Sequence, residues 1–126
     1  MAEKPHVLVV EDDPDQAFMY QIEFEAHDLT VTTLLSGIDI IKKIKELKPD
    51  IILLDLIMED KKGIDILSEL KGEEELKKIP VIIFTNYGKL SLQKEAEKLG
   101  AVKFIKKTER LPRQIVSDIK QVLSIP

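Results

Sequence analysis

The chain has 126 residues, of which 33% are charged and 44% hydrophobic, with no cysteine and a net charge of −4. That length holds one core of ordinary size and not two, and the mix of apolar and charged residues excludes a disordered or membrane-embedded chain. Without cysteine there is no disulfide, thiolate nucleophile or zinc–thiolate site; no apolar run approaches the roughly 20 residues that cross a bilayer, and the polar start has no signal-peptide core, so a cytoplasmic protein is expected.

Val7-Leu8-Val9-Val10 reads as a first strand from His6 to Val10, and it runs directly into Glu11-Asp12-Asp13-Pro14-Asp15. Asp13 is suited to cap a helix with Pro14 at its first position, where the missing N–H costs nothing. That accounts for Asp13 and leaves Glu11 and Asp12 without a structural reason. Ala17, Tyr20 and Phe24 recur at helical spacing. Leu29 to Leu34 predicts a second strand, and Ser36 is expected to cap a helix carrying Ile40, Ile41, Ile44 and Leu47, which Pro49 ends.

Ile51-Ile52-Leu53-Leu54 is an unbroken aliphatic run, the pattern of a strand buried on both faces. It stops at Asp55, which therefore emerges at the carboxyl edge of a sheet, where open α/β sheets place ligands. After Leu56-Ile57-Met58, Glu59 to Gly63 is a polar loop, and Ile66, Leu67 and Leu70 mark a third helix. Val81 to Phe84 is a fourth strand ending at Thr85-Asn86. Leu92, Ala96 and Leu99 predict a fourth helix closed by Gly100 as a left-handed cap. Val102 to Ile105 is the last strand, ending in Lys106-Lys107, and Leu111, Ile115, Ile119 and Val122 form the fifth helix.

Five strands alternating with five helices predict a parallel sheet covered on both faces, a single-domain flavodoxin-like (βα)5 three-layer sandwich spanning 1–126 with strand order 2-1-3-4-5. That order brings Glu11, Asp12 and Asp55 to one edge, with Thr85 and one of two lysines beside them. Crowded carboxylates repel one another unless a cation compensates. Mg²⁺ fits, because it takes oxygen ligands and is held by one or two carboxylates together with a phosphate oxygen. Carboxylate, metal, hydroxyl and ammonium around one point suit phosphoryl transfer, with Asp55 as the nucleophile. No glycine-rich phosphate loop is present, which argues against a nucleotide site. The basic run of Lys94, Lys98, Lys103, Lys106, Lys107, Arg110 and Arg113 reads first as a solvated surface and second as a docking face.

These residues resemble the receiver domain of two-component response regulators over essentially the whole chain. The carriers are Val10-Glu11-Asp12-Asp13-Pro14, Asp55-Leu56-Ile57-Met58 with Gly63, Pro80 to Thr85, and Gly100 to Lys107. The resemblance implies that Asp55 accepts a phosphoryl group from a histidine kinase phosphohistidine. It implies Mg²⁺ bound by Asp12 and Asp55, by Glu11 through water and by the Ile57 carbonyl. Thr85 and Phe104 are then the switch pair, and Lys107 rather than Lys106 is the lysine of the site. The expected partners are a sensor histidine kinase or phosphotransfer protein, a downstream protein on the surface of the fourth helix, fifth strand and fifth helix, and in one form a second copy of the chain; neither nucleic acid nor membrane is expected. No output domain is expected either. The alternatives are a receiver-like interaction module that works without phosphorylation and a metal-dependent phosphatase, the latter lacking an acid at Ile57.

Three positions depart from the family pattern. Glu59 replaces a proline, Lys62 an acidic or amide residue, and Thr108 the proline that follows the lysine through a commonly cis bond. A cis bond before a non-proline residue costs ~2.5–4 kcal/mol. The expectation is thus either a trans Lys107–Thr108 bond with a shifted loop or a cis bond kept under strain. Asn86 and Tyr87 are expected to restrict access to the site.

Overall fold

The computed structural model describes residues 4–58, 60–86 and 88–126. In chain order the elements are β1 (His6–Val10), α1 (Pro14–Glu25), β2 (Thr30–Leu34), α2 (Ile40–Leu47), β3 (Ile51–Leu54), α3 (Gly63–Gly72), β4 (Val81–Thr85), α4 (Leu90–Lys98), β5 (Lys103–Lys106), a 3-10 turn (Lys107–Glu109) and α5 (Pro112–Val122). The sheet is parallel, in the order β2-β1-β3-β4-β5. The predicted architecture and strand order are both found.

The aliphatic runs are continuous because both sheet faces are covered, and strand alternation divides them between two cores. Leu8, Val10, Ile52, Leu54, Val81 and Ile83 face one side, where Ile40 and Ile44 of α2, Ile66 and Leu70 of α3 and Ala96 of α4 cover them. Val7, Val9, Ile51, Leu53, Ile82 and Phe84 face the other, under Tyr20 and Phe24 of α1 and Ile115 and Ile119 of α5. On β5, Phe104 packs on the first core and Ile105 in the second. That alternation determines which of the two following lysines turns toward α1.

Asp13 caps α1 as expected, its carboxylate accepting from Asp15 N and Gln16 N, with Pro14 opening the helix. Gly100 sits at φ 104°, and Ala101 N donates to Ala96 O, which closes α4. Ser36 does not cap α2. That helix starts after Asp39, which is left-handed at φ 54° and gives no side-chain cap. The Ser36 hydroxyl accepts instead from Ile38 N at 3.0 Å and donates to the Asp60 carboxylate, so a loop contact has taken the group away from the helix. Strand ends also differ by one residue from expectation: β2 starts at Thr30, and β5 runs from Lys103 to Lys106. Among the described residues, no helix is long and apolar enough to cross a membrane.

Candidate phosphoryl and metal site

Glu11 and Asp55 extend the ends of two neighbouring strands. Glu11 N donates to Leu34 O at 3.0 Å and Asp55 N to Val10 O at 3.1 Å, so the ladder holds both backbones just past the strands that carry them. Their side chains are consequently buried, Glu11 at 1% exposure and Asp55 at 7%, while Asp12 is half-buried. One carboxylate oxygen from each of Glu11, Asp12 and Asp55 lies within 4.8 Å of the others. Asp55 is further oriented by Ile57 N, which donates to its Oδ1 at 3.1 Å. That contact places the backbone of Ile57 beside Asp55, and its side chain points to solvent, 48% exposed.

Gly63 makes this loop possible. A Cβ there would lie 2.1 Å from Asp55 O and 2.6 Å from Leu56 Cα, so only glycine lets the start of α3 pass this close to the site. Gly63 N donates to Leu56 O at 2.8 Å. Lys62, the second departure from the family pattern, is exposed at the N-cap of α3 and supplies no side-chain cap. Glu59 and Tyr87 lie outside the described residues. Asn86 is exposed.

Lys107 enters from the far side. Its Nζ donates to Glu11 Oε2 at 2.9 Å, Gln16 Oε1 at 3.0 Å and Asp55 Oδ2 at 3.3 Å, and it stands 4.6 Å from the centroid of the Phe84 ring. An aromatic face attracts a cation, and this one also shields the ammonium from water. Lys106, by contrast, is 40% exposed and lies 3.9 Å from Glu109. The structure thus puts Lys107 and not Lys106 among the carboxylates. The Lys107–Thr108 bond is trans, since no cis peptide occurs among the described residues. The lysine therefore reaches the cleft without the proline, through a 3-10 turn that starts at Lys107 itself.

Among the described residues, the carboxyl groups of Glu11, Asp12 and Asp55 crowd together in a poorly hydrated place, with the Lys107 ammonium against Glu11 and Asp55. Burial, reinforced by its hydrogen bond with Asp55 and opposed by Lys107, pushes the Glu11 carboxyl up to about 8. Burial, with the charges of Glu11 and Asp55, raises the Tyr20 phenol to about 12. Tyr20 packs edge-on against Phe84 with ring centroids 5.2 Å apart, forming the floor beneath Lys107. The clustered, oxygen-only donor set of Glu11, Asp12 and Asp55 fits a hard divalent cation.

Thr85 ends β4 with its side chain fully buried, and Phe104 is half-buried on β5 against the core under α4. Register pairs Ile83 with Phe104 and Thr85 with Lys106, so Thr85 and Phe104 lie on adjacent strands near the same end of the sheet. Beyond Asp12 an open cleft of about 450 Å³ is lined by Asp12, Asp13, Leu35 and Asp60. Asp60 is already engaged: the Ser36 hydroxyl, and then Gly37 N, hold its carboxyl below the usual range.

Gln16 is one residue of the site that sequence reasoning missed. It lies on the first turn of α1, where Asp13 caps the helix, and its amide Nε2 also donates to Asp13 Oδ2 at 3.4 Å. Nothing in its spacing marks it, because its partner lies 91 residues away. The basic run is divided by the fold. Lys94, Lys98 and Arg113 are exposed, whereas Lys103 and Arg110 both bind Asp118.

The family model for the response regulator receiver domain matches residues 7–120. The polar-differentiation response regulator DivK of Brucella ovis is 28% identical over 117 residues, covering 93% of this chain and 94% of that protein. The signal receiver domain of a LuxO repressor protein from Vibrio parahaemolyticus superposes with a TM-score of 0.86 at 27% identity, covering 96% of this chain and 91% of that one. The phosphorylated cyanobacterial phytochrome response regulator RcpA has a TM-score of 0.82 at 27% identity, covering 95% of this chain and 93% of that one.

Proposed function

The chain belongs to the family of response regulator receiver domains, which act as phosphorylation-dependent switches in two-component signalling, and on that premise we propose that Asp55 is its phosphoacceptor. The observation that carries this reading is the position of Asp55: a nearly buried carboxylate at the end of β3, with Lys107 Nζ 3.3 Å from its Oδ2. A carboxylate oxygen attacks phosphorus as the phosphorus–nitrogen bond of a phosphohistidine breaks, and the leaving imidazole keeps the electron pair. The product is an acyl phosphate on Asp55.

Glu11, Asp12 and Asp55, with the Ile57 carbonyl, would hold Mg²⁺. When bound, the ion offsets the charge of the carboxylates and of the phosphoryl oxygens. Lys107 donates to one phosphoryl oxygen, and Gln16 and Glu11 keep its ammonium aimed at the place where that oxygen arrives. Phe84 and Tyr20 exclude water from beneath it. Thr85, at the end of the adjacent strand, supplies a hydroxyl donor to a second oxygen.

The switch follows from that last contact. Movement of Thr85 toward the phosphoryl group vacates space near Phe104, whose half-buried ring packs toward α4. Inward rotation of the ring biases the face of α4, β5 and α5 toward a form that a downstream protein binds. The partners upstream are a sensor histidine kinase or a phosphotransfer protein. The module that works without phosphorylation has no specific observation in its favour.

Intact mass measurement tests this reading. Incubation with Mg²⁺ and a small phosphodonor should add one phosphoryl group to the wild-type chain and none to Asp55→Asn. An unmodified wild type across several donors, with Mg²⁺ bound, overturns it.

A further inference from the structure

Lys107 has to reach its three acceptors from a segment with few anchors of its own. The 3-10 turn from Lys107 to Glu109 has no side-chain cap, and Thr108 and Glu109 are both exposed. The next residue is different. Arg110 Nε donates to Asp118 Oδ2 at 3.1 Å, and its Nη2 donates to Asp118 Oδ1 at 2.7 Å and to Gln114 O at 3.2 Å. Lys103, the first residue of β5, reaches the same carboxylate, with Nζ 3.0 Å from Oδ1.

Asp118 is 5% exposed on α5, between Ile115 and Ile119, both fully buried against the sheet. An apolar residue would serve that position as core, and a carboxylate there is tolerated only because two cations pair with it. A forked guanidinium on a buried carboxylate fixes both distance and angle, which a single ammonium does not. A 3-10 turn rises about 2 Å per residue, so Arg110 fixes the backbone roughly 6 Å from Lys107.

We propose that Arg110 and Asp118 form a positioning clamp for Lys107, holding the trans turn so that the ammonium sits between Glu11 and Asp55. Neither residue touches the reacting atoms. The clamp ties the end of β5 to α5 on one side while Gln16 of α1 holds the ammonium on the other, so the lysine is fixed at its root and at its tip. The effect on transfer rests on the reading that Lys107 contacts the phosphoryl group. The placement of Lys107 itself does not.

The test uses the full chain, with Arg110→Ala, Lys107→Ala and the double variant. The rate of phosphate adduct formation from a small phosphodonor at saturating Mg²⁺ is followed by intact mass. The Lys107 ammonium resonance is followed by NMR. Arg110→Ala should slow transfer on the order of tenfold, since misplacement of about 1 Å by a distant residue can cost more than that. It should slow the Lys107→Ala background no further, and it should shift or broaden the Lys107 resonance. An unchanged resonance in folded Arg110→Ala overturns the clamp. So does an equal loss of rate in both backgrounds, or a shifted resonance with an unchanged rate. If the wild type takes no phosphate, the phosphoacceptor reading fails and the resonance alone decides the clamp. Should Arg110→Ala not fold, Asp118→Asn carries the same comparison, because it keeps the shape and one acceptor while losing the charge.

Discussion

Lys107 Nζ lies 2.9 Å from Glu11 Oε2, joining two almost fully buried side chains 96 positions apart in the chain. The contact spans the carboxyl edge of the sheet from the residue after β1 to the residue after β5, across β3 and β4, and brings an ammonium to the carboxyl groups of Glu11 and Asp55. Removing it as Lys107→Ala leaves buried negative charge without that partner. The expected loss is about 2 kcal/mol, less than for a fully enclosed pair because Glu11 can keep its proton. Urea denaturation with and without Mg²⁺ checks this: the variant should gain more stability from Mg²⁺ than the wild type does. An equal gain would show that Lys107 does not offset the same charge as the cation.

The raised Glu11 carboxyl predicts how pH acts on the metal-free protein. Its folded value is about 8 against an ordinary 4.5, so between those limits the folded state keeps a proton that the unfolded chain has lost. Stability from this group is therefore fully present below 4.5, falls as pH rises toward about 8, and levels off above it. Mg²⁺ binding should displace the same proton. Calorimetric titration at pH 7 in two buffers of different ionisation enthalpy should reveal proton release, and heats independent of the buffer would contradict the shift.

The two adjacent lysines should separate cleanly. Lys106 is 40% exposed and lies near Glu109, outside the carboxylate cluster. Lys106→Ala should leave the rate of phosphate incorporation unchanged, whereas Lys107→Ala should lower it by about tenfold or more, as expected on loss of a preorganised charge from a transfer site. Parallel time courses by intact mass give the answer. A larger loss for Lys106→Ala would mean that the lysine assignment is wrong.

Gly63 gives a steric prediction independent of charge. An alanine Cβ would meet Asp55 O at 2.1 Å and Leu56 Cα at 2.6 Å, and both are backbone atoms that yield only by moving the loop. Gly63→Ala should cost at least about 3 kcal/mol, the upper end for overpacking, and should displace the Asp55 loop. The thermal midpoint and the phosphorylation rate should fall together. Unchanged stability would mean that the start of α3 can withdraw from β3.

Some of this site could be read from the chain without a structure. Four aliphatic residues ending in Asp55, and another run ending in Glu11-Asp12, place acidic groups where strands leave the core, because the periodicity of a two-face-buried strand is local information. The Asp13-Pro14 cap is local in the same way. Ser36 misled because its hydroxyl accepts from the Ile38 amide and donates a hydrogen bond to the Asp60 carboxylate, 24 residues on. A capping residue competes with every partner that the fold brings near it.

Strand order, the two cores and the acidic edge were therefore determined by the sequence itself, through patterns no longer than one element and the few crossovers such elements allow. The tertiary structure alone decided which neutral and charged groups complete the site: Gln16 at the lysine tip, Phe84 beneath it, and Arg110 with Asp118 at its root. Each depends on contacts between α1, β4, β5 and α5 that sequence spacing does not encode. The trans Lys107–Thr108 bond belongs with them, since what holds that turn is a guanidinium on a buried carboxylate of another element.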